Sequence, residues 1–309
     1  MNRLQWRDEQ IAGAVVAIGV FDGVHVGHQA ILDHATSLSD GRGVVALTFD
    51  PHPTHIFAPD RAPIMLVSLE RRVELLKRHG ADAVVVIDFD KEFAAKSPEE
   101  FVSEVLVRQL QISGVVVGEN FTYGHRAAGK VVNLIAAGIE RGFVAEEVSL
   151  QTIDGEVVSS TRIRDAVSVG DVELAKKLLS RPHRLEGVIV HGEKRGRKIG
   201  YPTANLGYSS SYNAVPADGI YAGWLEVEGK RWPSAISIGT NPTFEGERSR
   251  QVEAYALDES GLELYDRPAK IDFGWRLRET IKFDGLEPLL VQMKKDCDQA
   301  RMLTQQAED

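Results

Sequence analysis

The chain has 309 residues, more than one domain core usually spans, and its 43% hydrophobic and 26% charged residues suit two globular domains, each with its own core. A formal charge of −9, with acid in excess in both halves, argues against a basic nucleic-acid surface. The single cysteine, Cys297, rules out an internal disulfide; Met1–Arg7 lacks the apolar core of a secretory signal, and no apolar run approaches the ~20 residues of a membrane helix, so a cytoplasmic protein is expected.

The first apolar run, Ala14 to Val20, reads as a buried strand. Gly19 and Gly23 bracket a tight turn, and a helical pattern follows with Ala30, Ile31 and Ala35 on one side. Strand, glycine-bearing turn and helix make an anion site in α/β folds, because backbone N–H groups and the helix N-terminus favour negative charge. His25 and His28 stand where that anion would bind, and imidazole N–H donors stabilise charge on a phosphate under attack. From spacing alone, two other readings stay open: half of a metal site, which lacks a convincing third and fourth ligand nearby, or structural histidines.

Further strands are expected at Val44–Phe49, Ala83–Ile87, Val115–Val117 and Phe143–Val148, short apolar runs of the kind covered on both faces. Between them, Ser68 is a candidate cap for a helix with Leu69, Val73, Leu75 and Leu76 inside. Ser97-Pro98-Glu99-Glu100 has the cap, proline and acid of a helix start, with Phe101, Val102, Val105, Leu106 and Leu110 as its apolar face. This βα alternation predicts a doubly wound parallel sheet over residues 1–182, whose ligands sit beyond the strand C-termini at the topological switch.

Four further stretches accompany it. Asp50-Pro51-His52-Pro53 is rigid and either presents His52 to the cleft or packs a turn. Gly118-Glu119-Asn120-Phe121-Thr122-Tyr123-Gly124 offers an amide and two aromatic faces, or is an ordinary loop with core aromatics. Gly124–Val131 nearly spells a P-loop, but Val131 lacks the hydroxyl that such a loop gives to Mg²⁺, so that reading is rejected; Arg126 and Lys130 either face phosphates or are solvated. In Val158-Ser159-Ser160-Thr161-Arg162-Ile163-Arg164 the hydroxyls read as helix caps or, with two arginines, as partners of triphosphate oxygens. A helix from Asp171 to Ser180 closes the region and Arg181-Pro182 breaks it.

From His183 the rhythm changes to short runs at Gly187–Val190, Tyr221–Val227, Ser234–Ile238, Val252–Leu257 and Ala269–Phe273, punctuated by Gly and Pro. An antiparallel barrel or sandwich over residues 183–309 is expected, ending in a helix with Leu286, Leu289, Leu290, Met293, Cys297 and Ala300 on one face. The loop at 191–205 interleaves cations with Gly192, Gly196 and Gly200, as suits a flexible phosphate cover. Glu253, taken alone, reads as a solvated strand residue.

The strings together carry a resemblance over nearly the whole chain. Gly-x-Phe-Asp-Gly-x-His-x-Gly-His resembles the nucleotidyltransferases marked by His-x-Gly-His, and their FAD synthetase branch in particular. Phe-x-Pro-His-Pro, Asn-Phe-x-Tyr-Gly and Ser-Ser-Thr-x-Ile-Arg resemble elements of the same branch, with Tyr123 in place of a Phe and Val158 in place of an Ile. Gly-Tyr-Pro-Thr-Ala-Asn, Thr-Asn-Pro-Thr-Phe and the Glu253 strand resemble riboflavin kinases. The chain is thus similar to the bacterial bifunctional riboflavin kinase and FAD synthetase family. The resemblance implies a Rossmann-like nucleotidyltransferase domain followed by a six-stranded antiparallel β-barrel with a C-terminal helix.

It further implies two ATP-dependent reactions: riboflavin to FMN in the second domain, then FMN to FAD and pyrophosphate in the first, with no covalent enzyme intermediate. His25 and His28 would stabilise the adenylyl-transfer transition state. Gly19, Phe21, Asp22, Gly23, His52, Asn120, Ser160, Thr161, Arg162 and Arg164 would hold ATP or FMN. In the kinase, Thr203 and Asn205 would hold Mg²⁺ and phosphates, Glu253 would take the proton of the ribityl 5′-hydroxyl, and Gly192, Gly196, Gly200, Pro202 and Asn241 would line the ATP and flavin sites. The implied partners are small molecules, with neither nucleic acid nor membrane; a homo-oligomer is compatible with the sequence. A different adenylyltransferase, acting on pantetheine phosphate or a nicotinamide nucleotide, is disfavoured by Pro-Thr-Ala-Asn, and a non-catalytic flavin sensor by intact His25, His28 and Glu253.

Overall fold

In the computed structural model, which describes residues 12–192, 196, 199–209, 212–240 and 250–307, the chain forms two compact units. One comprises residues 12–63 and 68–160, the other 64–67 and 161–307.

The first unit is built on five parallel strands: β1 (Val15–Ile18), β2 (Val44–Asp50), β3 (Ala83–Asp88), β4 (Gly114–Gly118) and β5 (Val144–Val148). Their order is β3-β2-β1-β4-β5, so the winding reverses between β1 and β4. Val16, Ile18, Val45, Leu47, Val85, Ile87, Val115 and Val117 share one buried cluster with Phe101, Leu106 and Leu134. Val15 and Ala17, of opposite parity, are buried as well, which is why β1 carries no polar alternation.

Local chemistry sets the helices. His25 caps α1 (Val26–Ser39), and the Ser68 hydroxyl accepts from Arg71 N–H at the start of α2 (Leu69–Arg78). The capping box at Ser97 is complete, with Ser97 Oγ accepting from Glu100 N–H and Glu100 Oε2 accepting from Ser97 N–H. The turn it starts continues as π-helix over Phe101–Gln109, where Leu110 N–H donates to Val105 O. Phe101, Val102, Val105, Leu106 and Leu110 are all buried, as expected. On α2 the buried residues are Arg71, Arg72, Leu75 and Leu76, while Leu69 and Val73 are half-buried. The Gly124–Val131 stretch forms a small hairpin, Thr122–Tyr123 with Gly129–Lys130, leading into α3 (Val131–Arg141); Arg126 and Lys130 are exposed.

The second unit is a closed six-stranded antiparallel barrel with helices. Its strands are β6 (His183–Val190), β7 (Ala204–Gly207), β8 (Gly219–Val227), β9 (Lys230–Thr240), β10 (Arg250–Ala256) and β11 (Pro268–Arg278), in the order β6-β7-β10-β9-β8-β11. Leu185, Tyr221, Leu225, Ile236, Ile271 and Phe273 fill the interior. Of the six, β7 had no apolar run of its own to announce it.

Helices α4 (Ser160–Val169) and α5 (Val172–Leu179) follow one another; beyond Ser160 they group with the barrel. Val172 belongs to the barrel's buried cluster, Lys176 Nζ stands 4.7 Å over the Trp275 ring, and Arg276 Nη1 donates to Val169 O at 3.0 Å. The C-terminal helix α6 (Leu286–Gln306) buries Cys297 and Ala300 against Ala222 and Leu257. Its expected apolar face holds only in that half: Leu286 is exposed, and Leu289, Leu290 and Met293 are half-buried. Arg278, bidentate on Asp296, anchors the middle of α6 to β11.

Candidate functional site

The first candidate site is the turn that leaves β1. Phe21, Gly23 and Val24 have positive φ of 55°, 81° and 41°. Val24 N–H closes the turn on Phe21 O at 3.1 Å, and the chain then enters α1. His25 stands at the N-cap, its Nδ1 accepting from His28 N–H at 3.4 Å. The two imidazoles stack with centroids 3.6 Å apart and planes 17° from parallel. The Phe21 ring meets His28 edge-on at 5.2 Å. Gly27 makes room for this stack: a Cβ there would sit 3.2 Å from two atoms of the His25 ring, a tight contact that the ring would have to shift to relieve. The His-x-Gly-His spacing is thus the spacing at which two rings stack over the first turn of a helix, at the positive end of its dipole.

Three of the other expected residues, Gly19, Asp22 and Ser160, form this turn or bond to it, and a fourth, Asn120, follows the neighbouring strand. Gly19 N–H donates to Leu47 O, fixing the end of β1 beside β2. Asp22 is buried, and its carbonyl accepts from Ser160 Oγ at 2.8 Å, joining Ser160 to the turn across 138 positions. Asn120 is exposed on the turn after β4, the strand beside β1 at the reversal, where Phe121 N–H donates to Gly118 O. Phe121 and Tyr123 stack at 5.7 Å behind it.

His52 is engaged locally: its Nδ1 accepts from Thr54 N–H at 3.1 Å and caps a single helical turn, Pro53–Phe57. Thr161, Arg162 and Arg164 lie on α4 in the other unit, where Arg164 Nε donates to Ile64 O at 2.8 Å.

Pattern reading missed Arg72. This residue, 1% exposed, donates through Nη1 to Val20 O, Thr48 Oγ1 and Phe49 O. Burial pushes its pKa down, opposed by the nearby carboxylates of Asp22, Asp50 and Glu70. The signal was its place, three and four residues before Leu75 and Leu76 on the buried stripe of α2.

The second candidate site lies at one end of the barrel. Strand β7 pairs Asn205 with Glu253 of β10 and with Val190 of β6. Thr203, two residues before Asn205, donates from Oγ1 to Glu253 Oε2 at 2.8 Å. Gly192 admits no side chain, since a Cβ would fall 2.4 Å from Asn205 Nδ2. The backbone at Gly192 therefore lies directly on the Asn205 amide. Gly196 O accepts from Ile199 and Tyr201 N–H, Gly200 has φ +88°, and Pro202 is exposed. Asn241 falls outside the described residues, as do the loop's Lys194, Arg195, Arg197 and Lys198.

A cavity of about 390 Å³ opens beside Thr203 and Pro202. Ile189, Leu225, Ala254 and Ala256 of the barrel wall it, and Glu259–Tyr265 cover it; Tyr265 stacks on His191 at 4.0 Å.

Among the described residues, no cluster of three or more His, Cys, Asp or Glu side chains is placed to hold a metal. Thr203 and Glu253 instead bring a hydroxyl and a carboxylate together, and Asn205, paired with Glu253 across the strands, adds an amide; hard oxygen donors with a single charge fit Mg²⁺. No helix among the described residues is long and apolar enough to cross a membrane.

Comparison with known proteins follows the same division. A family model of FAD synthetase matches residues 7–162 and one of riboflavin kinase matches residues 179–304. The chain is 36% identical to a bifunctional riboflavin kinase/FMN adenylyltransferase of Listeria monocytogenes, over 99% of this chain and 96% of that one. It is 35% identical to the protein of that name from Bacillus subtilis, over 94% and 93%. A crystal structure described as a macrolide-efflux protein from Streptococcus pneumoniae superposes with a TM-score of 0.84 at 29% identity, covering 94% of each chain. With a parallel-sheet unit that ends β1 in stacked histidines and a barrel that pairs Asn205 with Glu253, the chain belongs to the bifunctional riboflavin kinase/FMN adenylyltransferase family.

Proposed function

We propose that the chain makes FMN at Thr203, Asn205 and Glu253 and converts it to FAD at the His25–His28 turn. The observation that carries the kinase assignment is the hydrogen bond from Thr203, a residue of the cavity wall, to Glu253, which holds that carboxylate in a fixed orientation. Glu253 accepts the proton of the ribityl 5′-hydroxyl as that oxygen bonds to the γ-phosphorus of ATP and the bridge to ADP breaks. Thr203 and Asn205 are the side chains that would hold Mg²⁺, which when bound neutralises phosphate charge. The Gly192 backbone beside Asn205 follows the phosphates. The cavity's apolar walls, Tyr265 and the carboxylates of Glu259 and Glu263 suit a base and ribose hydroxyls and repel phosphate, which directs the triphosphate outward to Thr203.

In the other unit, a phosphate oxygen of FMN attacks the α-phosphorus of ATP and pyrophosphate leaves. His25 and His28, at the N-terminus of α1, donate to the non-bridging oxygens as charge builds there. Asn120 helps hold substrate, and Gly19, Phe21, Asp22 and Gly23 shape the turn. Ser160, Thr161, Arg162 and Arg164 as phosphate partners, and His52 as a ligand residue, rest on their sequence motifs. A cytoplasmic location is consistent with a single cysteine, Cys297, that is buried and reduced.

Incubation of the protein with riboflavin, ATP and Mg²⁺, followed by flavin chromatography, should show FMN rising first and FAD after it. Omitting the metal should stop both. Absence of FMN in a folded preparation, or FMN formation unaffected by chelation, overturns the reading.

A further inference from the structure

The turn between β1 and α1 is strained and held from all sides. Phe21 and Val24 sit in the left-handed region, which a β-branched residue such as Val24 adopts only when its surroundings impose it. Four of the turn's carbonyls are taken by specific donors. Val20 O accepts from Thr48 Oγ1 and from Arg72 Nη1, each at 2.9 Å. Phe21 O accepts from Val24 N–H, Asp22 O from Ser160 Oγ, and Val24 O from Gln29 Nε2.

Among these donors Arg72 alone reaches two strands. Its Nη1 also donates to Thr48 Oγ1 at 3.2 Å and to Phe49 O at 3.0 Å, and its Nη2 stands 3.6 Å from Asp50 Oδ1. One planar guanidinium thus fixes the C-terminal ends of β1 and β2 against each other, at the point where the chain enters the turn. A buried cation of this kind usually adds less stability than an apolar residue of similar volume. Its geometry, a fork aimed at carbonyls rather than a fully buried ion pair, fits the holding of a backbone shape.

We propose that Arg72 is a positioning residue for adenylyl transfer: by fixing Val20 O it sets the Phe21–Val24 turn, and through that turn the N-cap placement of His25 and the contact of Phe21 with His28. The proposal rests on the reading of His25 and His28 as the reacting site. No atom of Arg72 needs to touch substrate. Its loss should therefore appear in the rate of the bound complex rather than in binding.

The test compares Arg72→Lys, which keeps the charge but loses the fork, with Arg72→Met and with Thr48→Val, which removes the hydroxyl shared by Arg72 and Val20 at nearly constant volume. Arg72→Lys and Arg72→Met should lower kcat for FMN adenylylation about 10–10²-fold, the effect of a small displacement of reacting groups. KM for ATP and for FMN should stay within about threefold of the parent, and riboflavin phosphorylation by the same preparations should be unchanged. Thr48→Val should show the same split with a smaller loss. The proposal is overturned if folded Arg72→Lys keeps its kcat within twofold, if the loss is in KM alone, or if it scales only with the unfolded fraction. Should neither Arg72 variant fold, Thr48→Val decides by the same criteria. His28→Ala is run beside them: adenylylation that survives in it removes the site reading itself, whereas its loss together with a fully active Arg72→Lys removes only the role of Arg72.

Discussion

Thr203 Oγ1, on the wall of the barrel cavity, donates to Glu253 Oε2 at 2.8 Å, joining residues 50 positions apart. A carboxylate that serves as a base needs one oxygen oriented and the other left for the proton, and this bond provides the orientation. Thr203→Val should lower FMN formation about 10–100-fold, as removal of a group that orients a catalytic ligand does. Thr203→Ser keeps the hydroxyl and should stay within a few-fold of the parent. Initial rates across a Mg²⁺ titration make the check. Equal rates for Thr203→Val and the parent at every metal concentration remove Thr203 from the site.

His183 gives the barrel an acid limit. Its Nε2 donates to Ala214 O at 2.6 Å, and burial pushes its pKa down to about 4, although the Ala214 bond opposes the shift. Between about pH 6.5 and 4 the unfolded chain binds a proton that the folded barrel refuses. Stability from this group is therefore level above pH 6.5 and declines as pH falls below it, by about 2 kcal/mol at pH 5. Urea unfolding at pH 7 and pH 5 measures the decline. In His183→Gln that component should vanish, even though the variant is less stable at both pH values; an unchanged pH slope contradicts the assignment.

The boundary between the halves gives a third test. Residues 183–309 are the expected kinase domain and should phosphorylate riboflavin alone. Yet Val172 is fully buried in the barrel cluster, and Glu173 and Lys176 engage Arg276 and Trp275. A fragment of residues 161–309 should therefore melt several degrees higher than one of 183–309, since re-exposing one buried Val costs about 1.5–3 kcal/mol and a domain of this size shifts about 2–4 °C per kcal/mol. Equal melting temperatures would mean that α4 and α5 contribute nothing to the barrel.

What the sequence showed, and what it hid, follows from where the physical cause lies. The pairing of His25 with His28 was legible because its cause is local, two imidazoles three residues apart at a helix start; the donors that hold the turn before it, Thr48, Arg72 and Ser160, come from far along the chain. The Ser97 capping box was legible for the same reason. Strand β7 was not, because Ala204–Gly207 is short, follows Pro202, and is a strand only through partners on β6 and β10. Arg72 was hidden because charge on a helix normally marks the wet face, and its partners are strand-end carbonyls far along the chain. The apolar repeat at the start of α6 has the spacing of a buried face, but helical periodicity does not say how far the barrel surface extends along the helix, and Leu286 is exposed.

The last prediction separates the two activities within one chain. The stacked histidines lie in the sheet unit and the Thr203–Glu253 pair in the barrel unit, so each variant should stop one reaction and spare the other. His28→Ala removes a donor to the developing charge, worth typically about 10²–10³ in rate, and should make FMN normally and accumulate it. Glu253→Gln keeps the shape and the contact with Thr203 but cannot take the ribityl proton, and a positioned base contributes about 10²–10⁴. It should leave riboflavin untouched while turning supplied FMN into FAD at the parental rate. Flavin chromatography follows both steps, and circular dichroism establishes that each variant is folded. A folded variant that loses both reactions to the same extent means that the two reactions share essential residues, and the division of labour between sheet and barrel fails.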